Sequence, residues 1–177
     1  MPRITPELAG HLNVCAFMDT IAYAEGTSTS PVTQDDGYDI LVNSIDAQGN
    51  VQHNRFTDFS DHPFMPQFGR KPFKVNSKGL YSTASGRYQQ MLKDWPHYKT
   101  LLRLTDFAEI AQDLTCLQHL KESRAIEPLK AGDFLTACDR VSNIWASIPG
   151  TKNTYGQPKR QLDALRATYI LNGGTCQ

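Results

Sequence analysis

The sequence predicts an α+β fold, and three observations carry that prediction. A helix-period apolar pattern opens the chain, residues 38–59 change to strand composition, and helical pattern then returns. Helices and strands are segregated rather than alternating, which argues against a parallel α/β sheet. The 177 residues are expected to form a single domain over 1–177. A domain of this size removes roughly 70% of its unfolded-chain surface from water.

The first helix is expected to start with Thr5 as N-cap and Pro6 at the first helical position, where the missing N–H costs nothing. Leu8, Leu12, Cys15, Ala16 and Ile21 then recur on one face, and Gly26 is placed to stop the helix. Residues 27–37 are loop-like. Tyr38–Asn43 has strand composition, Asp46–Asn50 reads as a turn, and Val51–Phe59 returns as the second strand of a hairpin that Pro63 ends. Residues 64–80 carry Arg70, Lys71, Lys74 and Lys78 among prolines and glycines. They read as a basic, irregular flap suited to a polyanionic or glycan ligand.

Beyond the flap the pattern is helical. Gly86–Asp94 is predicted as a short helix stopped by Pro96. Asp106 and Glu109 form a capping pattern for a helix ending near Glu122. Ile126–Ala131 adds a turn, Asp133 caps a helix to Trp145, and Pro149-Gly150 breaks it. A last helix follows Pro158, carries Leu162, Leu165 and Tyr169, and ends at Gly173-Gly174. The hairpin beside a helix-ending acid predicts a cleft between a small β lobe and a larger helical lobe.

Composition narrows the function. Lys+Arg and Asp+Glu both number 18, so bulk charge gives no reason to propose a nucleic-acid partner. No signal-peptide block and no run of eighteen apolar residues occurs, so the chain reads as made and kept in the cytoplasm. Cys15, Cys116, Cys138 and Cys176 are irregularly spaced and read as reduced thiols, the first three among apolar residues. No H-E-x-x-H and no Cys/His cluster suggests a metal site.

Chemistry concentrates at Glu25. In the residues from 18 to 24 only Asp19 is charged, and Gly26 follows. A carboxyl on such a semi-apolar ledge is pressed to keep its proton, as a general acid must. Glycosidic cleavage commonly pairs such an acid with a second carboxylate. Asp35, Asp36 and Asp39 are the candidates in this stretch.

Five blocks then carry a resemblance: Tyr23-Ala24-Glu25-Gly26-Thr27, Gly37-Tyr38-Asp39, Phe56 to Pro63, Ser85-Gly86-Arg87-Tyr88-Gln89, and Ser142 to Gly150. In this order they resemble the endolysin family of phage lambda. The resemblance implies a lysozyme-like fold and a lytic transglycosylase acting on peptidoglycan, with Glu25 as the catalytic glutamate. It implies that Thr27, Tyr38, Asp39, Gln89, Asn143 and Tyr155 contact the glycan. As residues in their own right, Tyr88 reads as core packing and Trp145 as a core anchor, the usual place of an aromatic at a helix end. The resemblance also implies holin-dependent release to the cell wall. A monomer is the default expectation for a protein that must diffuse into a wall mesh, and no cofactor, no metal and no stable membrane insertion are expected. Against the family pattern, residues 27–37 are one residue shorter, the N-terminus is longer, and residues 64–80 are expanded. Residues 150–157 are expected to form the opposite lip of the cleft. A hydrolytic muramidase using Glu25 with Asp35, Asp36 or Asp39, and a non-catalytic wall-binding module, are the alternatives.

Overall fold

The first predicted helix is two helices. In the computed structural model, which describes residues 1–152 and 160–177, α1 spans Pro6–Ala9 and α2 spans Leu12–Ala24. Gly10 adopts φ +88° and ends α1, and His11 starts α2 by accepting the Asn13 N–H on Nδ1 at 3.1 Å. Thr5 caps α1 through Leu8 N and Pro6 occupies its first turn, as expected. The predicted apolar stripe fails at Leu8 and Leu12, which are 57% and 44% exposed. The stripe presumed one continuous helix, but the turn at Gly10 puts Leu8 in α1 and leaves Leu12 as the first residue of α2, which beyond it is buried nearly all round.

The other elements are β1 (Ile40–Ile45), β2 (Val51–Arg55), a 3-10 turn at Pro66–Phe68, β3 (Phe73–Lys74) and β4 (Tyr81–Ser82). They are followed by α3 (Trp95–Leu101), α4 (Glu109–Glu122), α5 (Ile126–Lys130), α6 (Phe134–Val141) and α7 (Leu162–Leu171). Contacts group the chain into two units, residues 1–26 with 113–177 and residues 27–112.

In the first unit, α2 packs against α1, α5 and α7. Phe17, Phe134 and Tyr169 meet with ring centroids 5.0–6.4 Å apart. Each buried ring of this kind stabilises the fold by roughly 2–3 kcal/mol. Buried Asn13 uses its whole amide, donating to Leu129 O and Thr175 Oγ1 and accepting from Thr175 N. Asp113 receives the backbone N–H groups of Arg3 and Ile4 at 2.6 and 3.0 Å, which anchors the N-terminus. Asp133 caps α6 as predicted, but the helix ends at Val141, short of Trp145. Trp145 is buried against His119. Cys15, Cys116 and Cys138 are buried and Cys176 is partly exposed.

In the second unit, β1 and β2 form the predicted hairpin, two residues later at its start and shorter at its end. Asp46 organises its turn by accepting from Gln48 N and Asn50 N. Residues 64–80 are not wholly irregular, because β3 and β4 pair across them. The predicted helix over Gly86–Asp94 is absent. Ser85 and Gln90 instead exchange backbone hydrogen bonds across a tight turn, and Gly86 (φ +75°) lies so close to the Gln112 side chain that a Cβ would collide. Pro96 does not stop a helix but sits in the first turn of α3. Leu41, Phe56, Phe64, Trp95, Phe107 and Ala111 form the core, with the rings of Trp95 and Phe107 edge-on at 4.9 Å.

His62 lies fully buried in this core. Its Nδ1 accepts the Phe64 N–H, and its Nε2 is 3.1 Å from Gln90 O. Burial pushes the imidazole down to about 4, against the opposing pull of Gln90 and Asp61. The unfolded chain takes up that proton near pH 6.5 and the native one near 4, so stability falls as pH drops through this window. The full span corresponds to on the order of 3 kcal/mol. Urea unfolding at about pH 7 and about pH 4.5 should show most of that loss, and His62→Asn should flatten the slope.

Candidate active site

Glu25 is the residue at which α2 ends. Its N–H still bonds to Ile21 O at 2.9 Å, and Gly26, at φ +73°, closes the helix through Tyr23 O. The carboxyl is partly buried, and Ser147 Oγ donates to its Oε1 at 2.5 Å. Burial pushes the carboxyl up, outweighing the hydrogen bonds from Ser147 and the charge of Arg160, which pull it down. A carboxyl raised by burial keeps its proton more readily than an exposed one, which is what a general acid requires.

Arg160 serves the same helix end. Its guanidinium lies 5.1 Å from the centre of the Tyr23 ring, its Nε donates to Ala24 O, and its N–H donates to Ser147 O. A cation here also complements the negative end of the α2 dipole. Neither Ser147 nor Arg160 was a predicted site residue. Ser147 lies within the Ser142 to Gly150 block, which held the signal for it; nothing in the sequence marks Arg160.

The second unit gathers several predicted residues, but inside the fold. Thr27 is 1% exposed and its Oγ1 donates to Arg87 O at 2.6 Å. Tyr38 is fully buried, with its ring edge-on to Tyr88 at 6.4 Å and 5.1 Å from the Arg87 guanidinium. Asp39 is 2% exposed and accepts from Thr33 Oγ1 and Gln34 N, with Arg55 Nε at 3.2 Å. Thr27, Tyr38 and Asp39, expected as glycan contacts, thus have their side chains packed within this unit. Their work is to hold the loop of residues 27–37.

Gln89 is partly buried at φ +52°, and its Nε2 donates to Gly86 O. Asn143 is exposed on the turn after α6. Tyr155, and most of the segment expected as a lip at 150–157, lie outside the described residues. Of the alternative carboxylates, Asp36 pairs with the buried Arg87 guanidinium at 2.9 Å and Asp39 is committed as above. Burial would raise Asp36, but Arg87 beside it holds it below the usual range. Among the described residues no cluster of His, Cys, Asp and Glu could hold a metal, and no helix is long and apolar enough to cross a membrane.

Comparison with known proteins identifies the lineage. The Endolysin family profile matches residues 15–176. The endolysin of Escherichia phage P2 is 41% identical over 169 residues, covering 96% of this chain and 98% of that one. The endolysin of Escherichia phage lambda is 40% identical over 161 residues, covering 90% of each. The structure of bacteriophage lambda lysozyme complexed with a chitohexasaccharide aligns over the full length of both chains, with TM-score 0.77 and 38% identity. The fold is therefore the predicted α+β, lysozyme-like one. By sequence and by fold, this chain belongs to the endolysin family.

Proposed function

We propose that this protein cleaves the β-1,4 bond between N-acetylmuramic acid and N-acetylglucosamine in peptidoglycan by transglycosylation without water. The result would be 1,6-anhydro muropeptides and lysis of the host cell. The observation that carries this reading is the raised, Ser147-bonded carboxyl of Glu25 together with the commitment of Asp36 and Asp39 to other partners. In the reaction, Glu25 gives its proton to the bridging oxygen and the bond from that oxygen to the anomeric carbon breaks. The carboxylate then takes the proton of the muramic 6-hydroxyl while that oxygen bonds to the anomeric carbon. Glu25 finishes protonated, so no second carboxylate and no water enter the balance.

The glycan ligand in the related lambda structure supports the substrate class. In this reading Gln89 and Asn143 are the direct glycan contacts, with Tyr155 a further candidate. Thr27, Tyr38 and Asp39 act through the loop they hold. The protein acts as a monomer that a holin releases to the wall. Mass spectrometry of fragments from purified peptidoglycan tests the chemistry. Anhydro ends, lighter by one water than reducing ends, are expected. Reducing ends would mean hydrolysis and would require a catalytic partner among Asp35, Asp36 and Asp39.

A further inference from the structure

The chain is neutral overall, but its charge is unevenly distributed. Residues 62–93 contain no Asp or Glu and six basic residues, Arg70, Lys71, Lys74, Lys78, Arg87 and Lys93, so this segment stands at +6 against −6 for the rest. Arg87 is buried and paired with Asp36, and Arg70 is turned inward, donating to Pro63 O at 2.6 Å. The others are exposed.

The β3–β4 hairpin arranges much of this charge. Phe73 pairs with Ser82, and the Phe73 ring meets Phe64 edge-on at 5.3 Å, so that pair faces the core. Lys74 therefore pairs with Tyr81 on the opposite face, where Tyr81 is 59% exposed. Asn76 fixes the tip by accepting from Leu80 N and Gly79 N, which sets Lys78 at the turn, and Lys71 precedes β3. Among the described residues, none of Lys71, Lys74 and Lys78 has a carboxylate partner.

We infer that this face, Lys71, Lys74 and Lys78 around Tyr81, binds the carboxylates of the peptide stems carried on the glycan strand. The inference rests on the peptidoglycan reading above and deepens it. An exposed aromatic ring offers a flat surface to a sugar or an aliphatic stem, and lysines beside it are point charges suited to separate carboxylates. A long polyanion fits less well. The balancing −6 elsewhere cancels the far field, and over a Debye length of about 8 Å only groups that touch the hairpin feel it.

The test compares stem-bearing peptidoglycan with the same glycan stripped of its peptides. Wild-type protein should show a KM about tenfold lower on the stem-bearing strand, a preference that shrinks with added salt. Lys71→Gln/Lys74→Gln/Lys78→Gln should bring the ratio near one, whereas Lys→Arg at the same three positions should keep it. In a Glu25→Gln background, the same glutamine triple should bind intact sacculi about tenfold more weakly, a readout independent of turnover. Equal KM values for the wild-type protein, or an unchanged ratio in the glutamine triple, would overturn the assignment while leaving the glycan reading intact. Cleavage of neither substrate would overturn the glycan reading itself. Loss of binding to phosphatidylglycerol vesicles with the glycan ratio unchanged would make the face a membrane surface instead.

Discussion

Glu25→Gln is expected to lower kcat on peptidoglycan by about 10²- to 10⁴-fold while binding to sacculi persists. Glutamine keeps the shape and can still meet Ser147 Oγ, but it cannot give up a carboxylic proton. Survival of near wild-type lysis would remove Glu25 from the mechanism. Loss of wall binding along with turnover would argue for a contact role. The same variant carries a stability signature of opposite sign. Because the native carboxyl is raised above its unfolded value, the native state holds the proton more tightly. Stability is therefore lost as pH rises from the unfolded value through the native one. Glu25→Gln removes that penalty, so urea unfolding should find it at least as stable as wild type at neutral pH, with the advantage gone in acid.

The pH–rate profile should follow the same carboxyl. Ser147 hydrogen-bonds to Glu25 and Arg160 pulls on it electrostatically, both lowering its affinity for the proton. Ser147→Ala should therefore move the basic limb of the profile to higher pH. A limb that stays in place would show that another group sets it.

Local chemistry made much of this fold legible. Thr5 with Pro6 and Asp133 with Thr136 are caps written in adjacent residues, and they appear where capping logic puts them. The acid at the end of α2 was legible for the same reason, since an apolar run, a glutamate and a glycine are neighbours in sequence. The misreadings have physical causes. Proline lacks an N–H, so Pro96 could close one helix or open the next, and only the absence of a helix over Gly86–Asp94 decides it. That absence depends on Gln112, whose Oε1 accepts Arg87 N and whose Nε2 donates to Tyr38 O and Phe107 O, partners scattered through the unit. The Ser147 bond to Glu25 spans 122 residues and the Arg160 bond to Ala24 spans 136, beyond any spacing rule. The burial of Tyr38 and Asp39 was equally hidden, because it depends on Arg87 and Arg55, far along the chain.

Arg87→Met is the substitution expected to cost the most stability, about 3 kcal/mol. The side chain is 1% exposed, lies 5.1 and 5.9 Å from the centres of the Tyr38 and Tyr88 rings, and pairs its guanidinium with the Asp36 carboxylate at 2.9 Å. Methionine fills part of the volume but removes the cation from both rings and from the Asp36 carboxylate. The Asp36 side chain is 35% exposed, so water recovers part of its lost pairing, which sets the figure at the low end for a broken buried pair. Arg87→Lys should fall between the two, because a point charge cannot lie flat against two rings while reaching Asp36. Chemical unfolding of Arg87→Met, Asp36→Asn and the double variant measures the coupling directly. If Arg87→Met unfolds like wild type, the loop of residues 27–37 is held by Thr27, Asp39 and Gln112 without the guanidinium. If it is destabilised and the coupling with Asp36 is near zero, the rings rather than the ion pair carry the stabilisation. Strong coupling would make the Arg87–Asp36 pair the clasp of the loop that begins two residues after Glu25.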